Sequence, residues 1–240
     1  MKAILVIVAK EPVPGKVKTR LSSRFGAHQA SELYGLSIQD TIEEMAYLSG
    51  HNLALAYTPE DAEPAFKKML PFPIELFAQQ GADLGERLSN IFQRMFAKGY
   101  GQVHIINSDS PDLSHRIVRR SIRLLKNRDT EIVLGPCDDG GYYLVGLKRP
   151  IPELFSQIPW STDRVLSTTL EKAQLLGLHC ALLRPWYDID TYDDMLKFLQ
   201  RNGNWAHTQR RAGWRTLKYL RATVKSEAMK EDVCLPKRRR

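Results

Sequence analysis

Seven short runs of β-branched and apolar residues alternate with six longer stretches of helical periodicity, and this alternation constrains the fold most. The runs are Ala3–Ala9, Asn52–Tyr57, Ile74–Ala78, Val103–Asn107, Glu131–Gly135, Tyr142–Gly146 and Leu178–Leu183. The helical stretches are Ala27–Leu48, Ala62–Met69, Leu84–Ala97, Arg116–Lys126, Asp163–Leu176 and Tyr192–Arg201. In the first of these, Leu33, Leu36, Ile38, Ile42, Met45 and Leu48 fall close to one face. Strands separated by helices need crossover connections, which set neighbouring strands parallel and cover both faces of the sheet. The expected fold is therefore α/β, in three layers, around a mixed and mainly parallel sheet. In such sheets the ligand sits beyond the carboxyl ends of the strands, where the loops after Ala9, Asn107 and Gly135 emerge.

Charge divides the chain. Of 35 Lys and Arg and 27 Asp and Glu in 240 residues, residues 203–240 hold 11 bases and three acids, the whole net charge of +8. The body is neutral, so a general nucleic-acid reading fails, and the expected division is a catalytic domain over 1–202 and a basic extension over 203–240, partly helical or disordered. In that extension WRTLKYLRATVK sets Trp214, Leu217, Leu220 and Val224 near one face. The face is narrow and Arg221 falls close to it, which favours packing on the chain's own domain over contact with anionic lipid. The terminal KRRR is expected to be solvated and offers no specific nucleic-acid site. Cys137, Cys180 and Cys234 are odd in number and far apart, neither a disulfide framework nor a CxxC metal site. With an N-terminal apolar run of only seven residues that ends in Lys10-Glu11, this favours a cytoplasmic protein without a signal peptide.

The first run leads into AKEPVPGKVKTRL, Ala9 to Leu21. Two phosphate-binding patterns fail here: Lys10 stands where GxxxxGK[ST] needs its first glycine, and no GxGxxG follows the strand. The chemistry still suits an anion. Gly15 permits close backbone approach, Lys16, Lys18 and Arg20 supply cationic donors, and Pro12 and Pro14 lower the cost of ordering the loop. An ordinary charged surface turn fits the same residues.

NSDSPDL follows a strand and precedes a helix, which puts Asp109 at a strand's carboxyl end and makes Asp112 a candidate helix cap. Some 80 residues later YDIDTYDD brings Asp188, Asp190, Asp193 and Asp194. Mg²⁺ or Mn²⁺ between nucleotide phosphates needs only one or two protein carboxylates. Asp109 with Asp188 or Asp190 can provide them, while a neighbour caps the helix that starts at Tyr192. A DxDx[TV] aspartyl-phosphate phosphatase is excluded: Tyr192 breaks the pattern and only 48 residues follow it.

Six pieces stand in one order: AKEPVPGKVKTRL, QQGADLGERL, NSDSPDL, GPCDDGGYYLVGL, IPWSTDRVL and DIDTYDD. In that order the chain resembles the GT-A (nucleotide-diphospho-sugar transferase) superfamily. It is most similar to bacterial glycosyltransferase-like proteins related to 2-phospho-lactate guanylyltransferase, some named for arsenosugar biosynthesis. The resemblance implies a nucleotide held by Gly15, Lys16, Lys18, Arg20, Gly81 and Arg87, and a Mg²⁺ or Mn²⁺ ion held by Asp109 and Asp190. It implies a sugar- or acceptor-facing surface of Gly140, Gly141, Tyr142, Trp160, Ser161 and Thr162. Asp139 or Asp138 would act as general base, although a turn that simply needs Asp and Gly explains the same residues, and Ser161 or Thr162 can instead cap a helix. The chain departs from the superfamily in Ser-Asp-Ser-Pro around Asp109 and in Tyr192, where proline is usual.

Three functions remain open at this level. The first is metal-dependent glycosyl transfer from a nucleotide diphosphate sugar to an acceptor the sequence does not identify. The second is nucleotidyl transfer from an NTP to a phosphorylated small molecule, with pyrophosphate released. The third is non-catalytic nucleotide-sugar binding. One glycine and two prolines in the first loop favour the first, since nucleotidyltransferases commonly carry a glycine-rich loop that ends in lysine there.

Overall fold

The computed structural model describes residues 2–203 and 211–223. The terminal KRRR and the Val224 end of the predicted C-terminal helix lie outside the described residues.

The strands are β1 (Ala3–Lys10), β2 (Asn52–Thr58), β3 (Glu75–Ala78), β4 (Gln102–Ile106), β5 (Ile132–Pro136), β6 (Tyr142–Leu147) and β7 (Cys180–Leu182). They form one sheet in the order β3-β2-β1-β4-β6-β5-β7. Only β6 runs against its neighbours, so six carboxyl ends open on one side. β1 sits between β2 and β4, with Ile7 beside Leu55 and Ile106. Its residues alternate between two cores, as a pleat of period two requires. Leu5, Ile7 and Ala9 enter the core under α2 (Ala27–Met45) and α5 (His115–Leu124). Ile4 and Val6 enter the one under α4 (Leu84–Ala97) and α6 (Val165–Leu175). This is the three-layer α/β/α arrangement around a mixed, mainly parallel sheet, and every predicted strand is present.

The helices differ in detail. Seven residues, Thr19–Phe25, form α1, which the sequence reading left inside the first loop. α3 covers Glu63–Met69 and α7 covers Tyr192–Asn202. Asp112 does not cap α5. Ser114 does, accepting from the backbone N–H of Arg116, because Asp112 is drawn to the Tyr187 hydroxyl at 2.5 Å and the Asn202 amide at 3.1 Å. The Ser161 and Thr162 caps also fail: α6 starts at Val165, and the Thr162 hydroxyl closes a turn onto the Pro159 carbonyl.

A third core joins α1, the start of α2, α7 and helical residues 214–223. Leu217 and Leu220 are buried in it. The buried carboxylate of Asp40 on α2 accepts from the backbone N–H groups of Arg215 and Thr216, which start this helix. Glu43 takes the Trp214 indole N–H and the Arg215 guanidinium. Among the described residues no helix is long and apolar enough to cross a membrane.

Candidate functional site

Four segments converge at the carboxyl ends of the strands: the loop from β1 to α1, the loop after β4, the β5–β6 turn, and the stretch from β7 to α7. Two of them are stitched together. Ile189 N–H donates to the Asp109 carbonyl at 3.0 Å and the Ser110 hydroxyl donates to the Tyr187 carbonyl at 2.9 Å, which sets Asp109 beside Asp190. The Thr191–Asp194 capping box that starts α7 fixes the backbone next to Asp190.

Between the two carboxylates lies the Lys18 ammonium, 2.5 Å from Asp109 Oδ1 and 2.6 Å from Asp190 Oδ1. Burial on its own would lower the Lys18 pKa; the charges of Asp109 and Asp190 and their hydrogen bonds outweigh it and hold the group protonated. The Tyr34 ring lies 5.5 Å from the ammonium, at cation–π range. Tyr34 is itself fixed by the Lys10 N–H and by Ser108, and burial, then the Asp109 charge, push its phenol up to about 12. Lys18 has φ 47° and ψ 43°, a left-handed backbone that costs a non-glycine residue about 1–2 kcal/mol.

Asp188 plays a different part from Asp190. It accepts from the Asn107 amide and the Cys137 thiol at 3.4 Å, and at 2.6 Å it shares the single Ser110 hydroxyl proton with the Tyr187 carbonyl. Burial and then the Asp109 charge raise its pKa to about 6. Burial, reinforced by the Asp188 charge, raises the Cys137 thiol as well, so that thiol is no nucleophile at neutral pH.

Asp190 and Arg20 stand on the wall between two chambers. The chamber of about 300 Å³ is basic, lined by Lys10, Lys16, Lys18 and Arg20 with Asp109 and Tyr34. The other, of about 410 Å³, carries more acids than bases: Asp138, Asp139, Asp188 and Asp194 line it together with Lys197 and Arg201. In the β5–β6 turn Asp139 accepts from the Gly141 N–H at 3.0 Å. Gly140 has φ +87°, and a Cβ there would fall 2.1 Å from the Asp163 carbonyl oxygen, so only glycine fits.

The structure brings Lys16, Lys18, Arg20, Asp109 and Asp190 together, and Asp138 and Asp139 with Asp190. Other expected site residues line neither chamber. Gly15 shapes the loop at φ +74°. Gly81 accepts through its carbonyl from Arg87 Nε, which ties that loop to α4. Tyr142 and Trp160 pack edge to face, 6.3 Å between centroids, with the Tyr142 hydroxyl buried. Gly141, Ser161 and Thr162 serve turns. The sequence reading missed Tyr34, Asn107, Ser108 and Arg201; only Tyr34, an aromatic on the buried face of α2, left a signal.

Two carboxylates that converge on one cation suit a hard divalent ion such as Mg²⁺ or Mn²⁺. Among the described residues no three metal-ligating side chains converge, so the remaining ligands of such an ion would come from substrate oxygens and water.

The sequence model of a family described as an uncharacterized protein conserved in bacteria, DUF2064, matches residues 41–162. A solved structure from Desulfovibrio desulfuricans G20, described provisionally as a nucleotide-diphospho-sugar transferase, is 33% identical with a TM-score of 0.84. The alignment covers 94% of this chain and 98% of that one. CMP:2-keto-3-deoxy-manno-octonic acid synthetase, solved with CTP, has a TM-score of 0.57 at 13% identity and covers 85% of this chain and 99% of its own. A cytidylyltransferase from Leptospira borgpetersenii serovar Hardjo-bovis (strain JB197) has a TM-score of 0.54 at 12% identity, covering 95% and 96%. These last two likenesses are of fold. No curated protein matches by sequence.

Proposed function

The chain belongs to the DUF2064 family and has the nucleotide-diphospho-sugar transferase fold, and we propose that it is a transferase using a nucleotide donor, with glycosyl transfer the favoured reaction. The observation that carries this reading is the convergence of Asp109 and Asp190 on the buried Lys18 ammonium, at a chamber lined by three further cations, Lys10, Lys16 and Arg20. Lys16 and Arg20 hold the donor's phosphates, since both are exposed cations facing that chamber, and Arg pairs phosphate oxygens bidentately. The sugar then points past Asp190 towards the larger chamber. Asp139, oriented by the Gly141 N–H, takes the acceptor hydroxyl's proton as its oxygen bonds to the anomeric carbon; the diphosphate leaves with the electron pair of the broken C–O bond. Asp138 lines the same chamber and is the alternative base. A divalent cation held by Asp109 and Asp190 would supply neutralisation of the charge that builds on the diphosphate.

Nucleotidyl transfer is the second reading, favoured by one observation: Lys10, Lys16 and Arg20 line the chamber besides the paired Lys18, enough cationic donors for a triphosphate. The products separate the two. Incubation with nucleotide sugars or NTPs, candidate acceptors and Mn²⁺ should release nucleoside diphosphate for glycosyl transfer and pyrophosphate for nucleotidyl transfer. Release of neither from any donor, while nucleotides still bind, would leave non-catalytic nucleotide-sugar binding as the function.

A further inference from the structure

The cation between the two carboxylates is the chain's own. The Lys18 side chain is 7% exposed, whereas Asp109 and Asp190 keep 29% and 40% of theirs open to the cleft. A ligand can therefore reach the carboxylates while the ammonium stays covered. Lys18 is held from three directions: the Tyr34 ring, the two carboxylates, and a left-handed backbone that no sequence-local hydrogen bond of its side chain explains. A strained residue persists only where its surroundings over-determine it. The ammonium occupies Oδ1 of both carboxylates, and a positive charge so close repels a divalent ion at the same pair, so the ion binds weakly while Lys18 stays in place. Lys18 also lines the basic chamber, where donor phosphates would offer its ammonium another partner.

We propose that Lys18 is the resident counter-ion of the Asp109–Asp190 pair, and that a divalent cation enters only with a donor whose phosphates draw the ammonium aside. This rests on reading the cleft as a metal-assisted transferase site. It makes metal and donor binding mutually dependent, so the site is not assembled around metal alone.

The test is Mn²⁺ titration of the full chain, following free Mn²⁺ by electron paramagnetic resonance with no nucleotide present. Wild type is compared with Lys18→Met, Lys18→Gly and Lys18→Met/Asp109→Asn. Glycine accepts φ 47° without strain, so Lys18→Gly is the variant that folds if methionine does not. The expected result is Mn²⁺ binding at least tenfold tighter in Lys18→Met or Lys18→Gly than in wild type, abolished in the double variant. Adding CTP, GTP, UDP-glucose or GDP-mannose to wild type should recover the tight binding with whichever one the cleft accepts, after correction by the same titration without protein. Equal Mn²⁺ affinity in wild type and the single variants would overturn the proposal. So would folded single variants that bind no Mn²⁺. Nucleotide binding, followed separately by thermal shift, decides whether the transferase reading survives such a failure.

Discussion

Gly140 shows at the level of one residue how the larger chamber is held in shape. Its φ of +87° and its approach to the Asp163 carbonyl leave no room for a side chain. Gly140→Ala is expected to lose roughly 2–4 kcal/mol, the left-handed penalty plus overpacking, read as a lower urea midpoint with an unchanged m-value. Turnover should fall further than stability, because the same turn aims Asp139. Residue types alone made much of this chemistry legible. Loop position and charge named Asp109, Lys16 and Arg20 as candidates and left Asp188 and Asp190 as alternatives, between which the family resemblance favoured Asp190. What could not be read was which cation meets which carboxylate. Lys18 was grouped with the phosphate-binding bases because its partners lie 91 and 172 residues away, and no local pattern records such a contact.

Elements carry the geometry between residues. The central strands β1, β4, β5 and β6 are buried almost throughout and read as continuous apolar runs, whereas the edge strands β3 and β7 are only partly buried and showed as apolar-rich runs between helical stretches. The seven residues of α1 are too few to show a period, and its left-handed start at Lys18 has no capping residue, so it stayed hidden. α7 has the reverse character: its capping box is plain in TYDD and abuts Asp190. Thr191→Ala should cost about 1 kcal/mol of stability and also weaken donor binding, measured by calorimetry, because Asp190 loses its fixed neighbour. An effect on stability with no change in donor affinity would separate the cap from the site. The helix of residues 214–223 gives a pH-dependent prediction. Burial, partly offset by hydrogen bonds from Thr216, raises the Asp40 pKa from 3.8 to about 6. Between those values the folded state binds more protons than the unfolded state, so this group's contribution falls as pH rises from about 4 to 6 and is level above. Wild type should therefore lose on the order of 2–3 kcal/mol relative to Asp40→Asn across that window. Denaturant melts of both proteins at pH 4, 5, 6 and 7 read the difference directly.

At the scale of the whole molecule the C-terminal segment has a structural part to play. Leu217 and Leu220 complete a core with Leu21, Phe25, Leu33 and Phe198. Burying two leucines contributes about 3–6 kcal/mol as an upper estimate. A chain ending at residue 203 should melt roughly 6–24 °C lower, at about 2–4 °C per kcal/mol for this size, and bind hydrophobic dyes. Because α1 lies in that core directly after Lys18, nucleotide affinity should drop with it. A truncated chain of unchanged stability would support the division at residue 202 that charge suggests.

The central claim is that a nucleotide donor binds at the Asp109–Lys18–Asp190 cleft. Its most direct test is the thermal stability of wild type and Asp109→Asn against NTPs, NDPs and nucleotide sugars, with and without Mn²⁺. A ligand at a hundred times its dissociation constant adds about 2.7 kcal/mol, roughly 5–10 °C here. The account predicts a shift of that size with one nucleotide family in the presence of Mn²⁺, lost in Asp109→Asn. No shift with any nucleotide in wild type, with or without metal, would contradict it.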